Sequence, residues 1–367
     1  AKHHLVGANT VMLTLLRDNA AALDVTSPNL DLGITRARDM LQGAATVEIV
    51  SASVNSGVLE ARVRVENNSG HKAPTSYPSR RMWINFKVTD SNNTIVFESG
   101  RINADGSIEE ADNDVNQTVF EPHYNLITSA DQVQIYETIM GDSNENITYT
   151  LLRGAQYLKD NRLTPKGFDK LNVANVAPDA AVHGLAVNDD DFNLGSDEVT
   201  YRIPVAVAGD LDISVSLNYQ TISHGFLQDL YRDNQLEQVQ TFETMYEAQS
   251  LKYEQVSGAQ TTVVSDGGGT PPPVNEPAPV IEQPTVNLTA SPSSVARGGS
   301  ITLSWSSTNA NSCMASDNWS GPKATSGSES IVINSSVTFT LTCSNDGGSA
   351  SGSVSYRTRG RRWLELR

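Results

Sequence analysis

The sequence predicts a mainly β protein: an antiparallel β-sandwich flanked by N- and C-terminal helices, followed by a small C-terminal immunoglobulin-like sandwich. Three observations carry this expectation. Segments such as TVEIVSASV (46–54) and VLEARVRVEN (58–67) alternate apolar and polar residues, the two-residue period of a half-buried strand. Helical periodicity is confined to the two flanks of the alternating region. A stretch dense in glycine and proline, DGGGTPPPVNEPAPVIEQP, then separates this region from a Ser/Thr-rich one with short strand patterns of its own.

Along the chain, NTVMLTLLRDNAAALDVT carries Val11, Leu13, Leu15, Leu16 and Leu23 beside an alanine run and predicts a helix. A second helix is predicted over about 28–42, with Pro28 at its start and Gly43 beyond its end. The first two strands are separated by Asn55, Ser56 and Gly57, which suits a hairpin. MWINFKVTD, TIVFESG, QVQIYETIM, ITYTLLRGA, VTYRIPVAV and DISVSLNYQ continue the strand pattern as far as Gln220. From His224 to about Lys252 the period is helical again, with Leu227, Leu230, Tyr231, Leu236, Val239, Phe242 and Tyr246 on one stripe. The expected organisation is a helical segment at 1–45, a sandwich with its closing helix at 46–255 and a linker at 256–284. An immunoglobulin-like domain at 285–356 and a basic tail, RTRGRRWLELR, at 357–367 complete it.

The totals exclude some functions. With 38% apolar and 19% charged residues, the 367-residue chain can bury a core, and no apolar run reaches the roughly 18–20 residues of a membrane span. A net charge of −16, from 26 basic and 42 acidic residues, opposes binding to nucleic acid or anionic lipid. Cys313 and Cys343, the only cysteines, read as one disulfide formed in an oxidising compartment, the other reading being two buried thiols. There is no G-x-S-x-G elbow, phosphate-binding P-loop or H-E-x-x-H helix, and the expectation is a protein that is not an enzyme.

Two groups of residues carry ligand chemistry. In NDDDFNLGSDEV, Asp189, Asp191, Asn193 and Asp197 follow the odd-position spacing of a calcium loop, which suits a hard cation. Leu194 replaces the glycine that an EF-hand needs and Thr200 stands where its bidentate glutamate would be, so the expectation is a non-EF calcium site or a solvated acidic loop. The histidines at 3, 4, 71, 123, 183 and 224 are either metal-type ligands or ordinary hydrogen-bonded side chains. His71 stands out because its loop, NSGHKAPTSYPSRRMW, is crowded with basic and aromatic residues between two strand patterns.

NNSGHKAPTSYPSRRMWINFKV, VFESG, FEPHYNLI, QVQIYETIM, TYTLLRGAQYLKDNRLTPKGFDK and DDDFNLGSDEVTYRI, in that order over about residues 1–255, resemble the C-terminal sandwich region of bacterial multihaem c-type cytochromes. The resemblance implies an electron-transfer role and an upstream segment of C-x-x-C-H motifs that attaches haem c, with AKHHLVGANTVMLTLL at the join. No C-x-x-C-H occurs in this chain, so no haem is expected to be covalently bound to it. The resemblance makes His3, His4, His71 and His123 candidate axial ligands or haem-interface residues. Tyr77, Arg80 and Arg81 would fix the loop or pair with haem propionates, and the implied partner is a haem-bearing segment or redox protein. On the other reading the loop only ties its own strands together. The region from SITLSWSS to TFTLTCSNDGGSASGSVS resembles bacterial immunoglobulin-like domains, which implies surface display with a cell-surface or polymer ligand. Two functions are therefore expected of an exported, periplasmic or extracellular protein: the non-haem part of a multihaem cytochrome, or a haem-free extracellular binding or adhesion protein of two sandwiches.

Overall fold

The computed structural model describes residues 6–267 apart from 27, 28, 76, 178 and 179, and residues 284–356 apart from 293, 294, 296, 311, 318, 346 and 347. His3, His4, Pro28 and the basic tail lie outside the described residues. The chain divides into two compact units, Ala1–Pro272 and Pro273–Arg367.

The first unit opens with helix α1 (Thr10–Asp18), capped by the Asn9 side chain, which accepts from the Met12 N–H at 3.0 Å. Helix α2 (Leu30–Gln42) buries Ile34, Ala37 and Leu41, three residues then four apart on one face. Strands β1 (Ala45–Asn55) and β2 (Val58–Asn67) form a hairpin whose two-residue turn has positive φ at both Ser56 (52°) and Gly57 (73°). That is the turn whose twist matches a right-handed ribbon, and glycine takes the second position without strain. The chain continues through β3 (Arg81–Asp90), β4 (Ile95–Ser99), the single turn α3 (Asp112–Val115), β5 (Leu126–Ile127), β6 (Ile135–Tyr136), β7 (Thr138–Gly141) and β8 (Gln156–Asp160). Then come α4 (Lys170–Val176), β9 (Ser196–Pro204), β10 (Ala208–Gln220), α5 (His224–Tyr231), α6 (Glu237–Ala248) and β11 (Glu254–Asp266).

One sheet has the order β1-β2-β9-β5 and a second β11-β10-β3-β4, with β6 paired to the start of β3, while β7 and β8 form a separate two-stranded sheet. Pairing is antiparallel except between β5 and β9. The alternation read from the sequence faces the core: Leu59, Ala61, Val63 and Val65 of β2 pack in one cluster with Ile84, Phe86 and Val88 of β3. Phe86 stacks on Tyr201 of β9 at 3.9 Å between ring centroids. Burying each such side chain stabilises by about 1.5–3 kcal/mol. Helices α1, α5 and α6 form a smaller apolar cluster from Val11, Leu15, Leu227 and Tyr246.

Several boundaries differ from the sequence reading. The linker expected from residue 256 starts later, because β11 pairs along almost the whole of β10, from Glu254 opposite Tyr219 to Asp266 opposite Ala208. ITYTLLRGA is not a strand; it contains a 3-10 turn at Leu151–Arg153 in which Leu152 is 98% exposed. The closing helix is two helices, interrupted at residues 232–236.

The second unit consists of β12 (Thr285–Ser291), β13 (Gly299–Thr308), β14 (Ser312–Asp317), β15 (Gly321–Lys323), β16 (Ser326–Ile333), β17 (Val337–Asn345) and β18 (Gly348–Tyr356). Its sheets have the orders β12-β13-β16 and β15-β14-β17-β18, and its core includes Leu303, Trp305, Trp319, Phe339 and Leu341. Cys313 and Cys343 are disulfide-bonded. They are directly opposed on β14 and β17, so the bond joins two neighbouring strands of one sheet rather than bridging the sheets as in antibody domains.

Candidate functional site

The loop from Asn67 to Trp83 is anchored at its start by an amide. Asn67, the last residue of β2, is fully buried. Its Nδ2 donates to the carbonyls of His71 (2.8 Å), Leu163 (2.9 Å) and Thr164 (3.1 Å), while its Oδ1 accepts from Ser69 N–H and Oγ. Lys72 Nζ donates to Asp160 Oδ2 and to the Ala181 carbonyl, both at 2.8 Å. Burial lowers the Lys72 ammonium pKa against the opposing pull of Asp160. Burial works on Asp160 too, but the Arg162 guanidinium, at 2.8 Å to each carboxylate oxygen, and Lys72 hold its carboxyl below the ordinary value.

At the far end of the loop Arg81 is 1% exposed and makes a two-pronged pair with Asp114, 2.7 Å on each arm, while its Nε donates to Gln220 Oε1 at 2.8 Å. Trp83 is core, its indole N–H donating to the Gly100 carbonyl at 2.8 Å. Gly100 has a φ of 76°, and a Cβ there would lie 2.3 Å from the Ile84 carbonyl oxygen, so only glycine fits. The crowding seen in the sequence is thus largely the price of one long crossing between the two sheets: Asn67, Lys72 and Arg81 each tie the loop to a distant segment.

Three of the seven haem-related candidates remain on the surface. His71 is exposed, with Ser69 Oγ 3.4 Å from its Nδ1. Arg80 is half-buried and donates to the Thr75 carbonyl at 3.1 Å; Tyr77 packs edge-on against Phe226 of α5. His71 and Arg80 border an apolar cavity of about 180 Å³ walled by Gly7, Ala8, Leu41, Pro74 and Met82. The other two described candidates lie in the interior. His123 is 6% exposed and Arg81 is spent on Asp114, so neither presents a group outward; the polar side chains that hold them come from segments distant in sequence. His3 and His4 lie outside the described residues.

The four calcium candidates are not brought together as a set. Asp191 Oδ1 accepts from Glu198 N–H at 2.9 Å, and Asn193 Oδ1 accepts from Lys170 N–H and Leu194 N–H, both at 3.0 Å. These two side chains brace their own loop. Lys170 Nζ lies inside the loop, donating to the carbonyls of Ala186 and Asp189. Asp189 and Asp197 do converge, and they do so on His123, which the sequence reading assigned elsewhere. Gln134, Asn161 and Tyr136 complete that cluster. Glu121, two residues before His123, has its carboxyl pushed up to about 8 by burial, with the nearby Asp112 carboxylate adding to the effect.

No protein-family model and no curated protein matches this chain. Among solved structures it is similar to a penta-haem cytochrome c552 from Thermochromatium tepidum, at 11% identity and a TM-score of 0.35, covering 61% of this chain and 41% of that one. The chain therefore spans about two fifths of that cytochrome's length. It is also similar to the BSP domain of a biofilm-associated protein, at 7% identity and a TM-score of 0.18, covering 89% of this chain and 55% of that one. A third similarity is to bovine butyrophilin, at 10% identity and a TM-score of 0.16, covering 86% of this chain and 99% of that one. These weak likenesses, to a multihaem cytochrome on one side and to β-rich proteins on the other, carry no functional argument by themselves.

Proposed function

We propose that the first unit is the non-haem sandwich of an exported electron-transfer protein of the multihaem cytochrome type, and that its His71 face docks a haem-bearing segment or redox partner. The observation that supports this is an exposed imidazole at the mouth of an apolar cavity, with the Arg80 guanidinium on the same rim. An imidazole nitrogen is a haem-iron ligand and a guanidinium pairs with carboxylates such as propionates. A cavity of about 180 Å³ is too small to enclose a macrocycle and accepts an edge at most. Haem, when bound, would supply the one-electron chemistry; this chain's residues would supply apolar contact, a charge and an outer nitrogen. The role is non-catalytic, and the immunoglobulin-like unit serves display, its disulfide being compatible with export.

The test is a titration of the full chain with a haem c peptide that carries one axial histidine and an open sixth position. Ligation by His71 should convert the haem to a low-spin spectrum, and His71→Ala should weaken that conversion at least tenfold while His3→Ala and His4→Ala leave it intact. Identical titrations of the parent chain and His71→Ala would overturn the reading.

A second reading, a haem-free extracellular binding protein, is favoured by the internal use of Lys72, Arg81 and His123. It predicts no spectral change with any variant. Among the described residues no helix is long and apolar enough to cross a membrane.

A further inference from the structure

The interior of the first unit holds a polar cluster that the proposed docking face does not use. His123 sits with its Nδ1 3.0 Å from Asn161 Nδ2 and 2.9 Å from Gln134 Nε2. Both amides are fixed end for end by other partners. Asn161 Oδ1 accepts from the Glu137 N–H and its Nδ2 also donates to the Ile135 carbonyl. Gln134 Oε1 accepts from the Tyr124 N–H and its Nε2 also donates to Asp197 Oδ2. Nδ1 is therefore an acceptor, and the ring carries its proton on Nε2. That N–H donates to Asp189 Oδ2 at 3.0 Å, with Asp197 Oδ1 3.8 Å away.

The three ligand-type atoms lie within 4.8 Å of one another, a spacing that suits a metal ion. The surroundings of the ring do not. A metal on Nε2 requires the ring proton on Nδ1, donated to an acceptor, and here two N–H donors already point at Nδ1. What the cluster lacks is positive charge. Asp197 is fully buried; its Oδ2 accepts from Tyr136 Oη at 2.6 Å and from Gln134, but its Oδ1 has no hydrogen-bond partner. The nearby Lys170 ammonium is held by backbone carbonyls. Two carboxylates converging on one neutral imidazole, out of water, repel each other; Asp189 is offset by the Asn125 amide (3.3 Å) and the Asp191 N–H (3.1 Å), whereas Asp197 Oδ1 has no such donor.

We propose that His123, Asp189 and Asp197 form a proton-operated latch, in which a proton on Asp197 relieves its repulsion with Asp189 and holds closed the loop that joins them. The groups facing Asp197 are His123, Asp189, Asp191, Tyr136, Tyr201 and Lys170. Burial is the main influence and raises its carboxyl from 3.8 to about 6; the Asp189 and Asp191 carboxylates add to the rise and the Tyr136 hydroxyl opposes it. A folded-state value above the unfolded one means that the stabilisation is complete below about pH 4 and is lost as the pH rises through about 6. The loop is also a structural link, since its Gly195 carbonyl accepts from the Asn67 N–H at 2.8 Å. The inference does not depend on the haem reading.

The test is hydrogen–deuterium exchange of the full chain at pH 4 and pH 7, corrected for intrinsic exchange, read on peptides covering 189–201. Protection should fall by up to about a hundredfold between the two conditions, the factor corresponding to a shift of about two pKa units. In Asp197→Asn, which is neutral at both values, it should change by less than about threefold. Equal protection of the parent chain at both pH values would overturn the proposal. So would zinc or calcium restoring protection at pH 7 in the parent chain but not in the variant, which would make this a metal site. Should the variant fail to fold, the His123 ring nitrogens of the ¹⁵N-labelled parent chain decide: a proton on Nε2 supports the latch and a proton on Nδ1 sinks it.

Discussion

The two sandwiches solve the same packing problem with different materials. The first unit carries ion pairs and hydrogen-bonded side chains in its interior, with Arg81–Asp114, Lys159–Glu137 and the His123 cluster all at 6% side-chain exposure or less. The second is held by an apolar and aromatic core, Trp305, Trp319 and Phe339 meeting edge to face, and by a disulfide. Buried charges stabilise little in total, because desolvation offsets most of their attraction, but an incorrectly paired one is heavily penalised. Irregular connections such as 100–125, between β4 and β5, have no long strand register to place them, and the polar contacts select one arrangement. The small unit has short turns and needs no such selection; with a thinner core, it gains from a cross-link that restricts its unfolded chain.

That contrast can be broken at several points. The largest effect should come from Arg81→Ala, which leaves Asp114 buried and unpaired and should lower the first unit's unfolding free energy by about 3–5 kcal/mol in denaturant titration. Arg81→Met combined with Asp114→Leu should recover most of the loss; if it does not, the pair is more than a selector. Next, replacing Cys313 and Cys343 by alanine should lower the second unit's stability by about 3–4 kcal/mol and leave the first unit's calorimetric transition in place.

A smaller effect should follow pH. With its carboxyl raised to about 8, Glu121 contributes stability that is complete below about pH 4.5 and is lost as the pH climbs through 8. Glu121→Gln should therefore raise the first unit's melting temperature at pH 8.5 and change it little at pH 5. Glu329 of the second unit shifts the opposite way, held low by Lys323 and the Trp319 N–H, and its transition should show no corresponding alkaline loss. The smallest effect should be at the exposed Arg202–Glu60 pair, where Glu60→Ala should change stability by less than about 0.5 kcal/mol.

Legibility in the sequence followed the same division. Alternation located β1 and β2 to within a residue, but placed β9 three residues late, missed the first four residues of β10 and read β6 and β7 as one strand. It failed for ITYTLLRGA because alternation states only that a face is apolar, not that a partner strand exists to cover it; Leu151 and Leu152 stay exposed. It failed for β11 because QVSGAQTTVVSD is polar, contains Gly258 and runs into the glycine-rich segment, although β10 supplies a full set of backbone partners. For the candidate site, residue type was readable and proximity was not. His71 and Arg80 are nine residues apart in sequence and share a rim only through the loop's path. His123 and Asp189 are 66 residues apart and meet through tertiary packing that no local spacing encodes. The amides that fix the His123 proton, Gln134 and Asn161, lie in stretches that read as strand or family motif, and nothing in them points to His123.

The Asn67 clamp bears on how the protein ages. An asparagine deamidates when the following backbone nitrogen attacks its side-chain carbon, and the sequence NNSG offers two adjacent candidates. At Asn67 the product would set a carboxylate against the three carbonyls that its amide now serves. The fold protects that position: the side chain is buried, and the Asn68 nitrogen that would attack donates to the Ala44 carbonyl at 2.9 Å. Asn68 is exposed, but the Ser69 nitrogen that would attack it donates to Asn67 Oδ1 at 2.8 Å, so damage at Asn68 should be slowed too and, where it occurs, should take one hydrogen bond from the clamp.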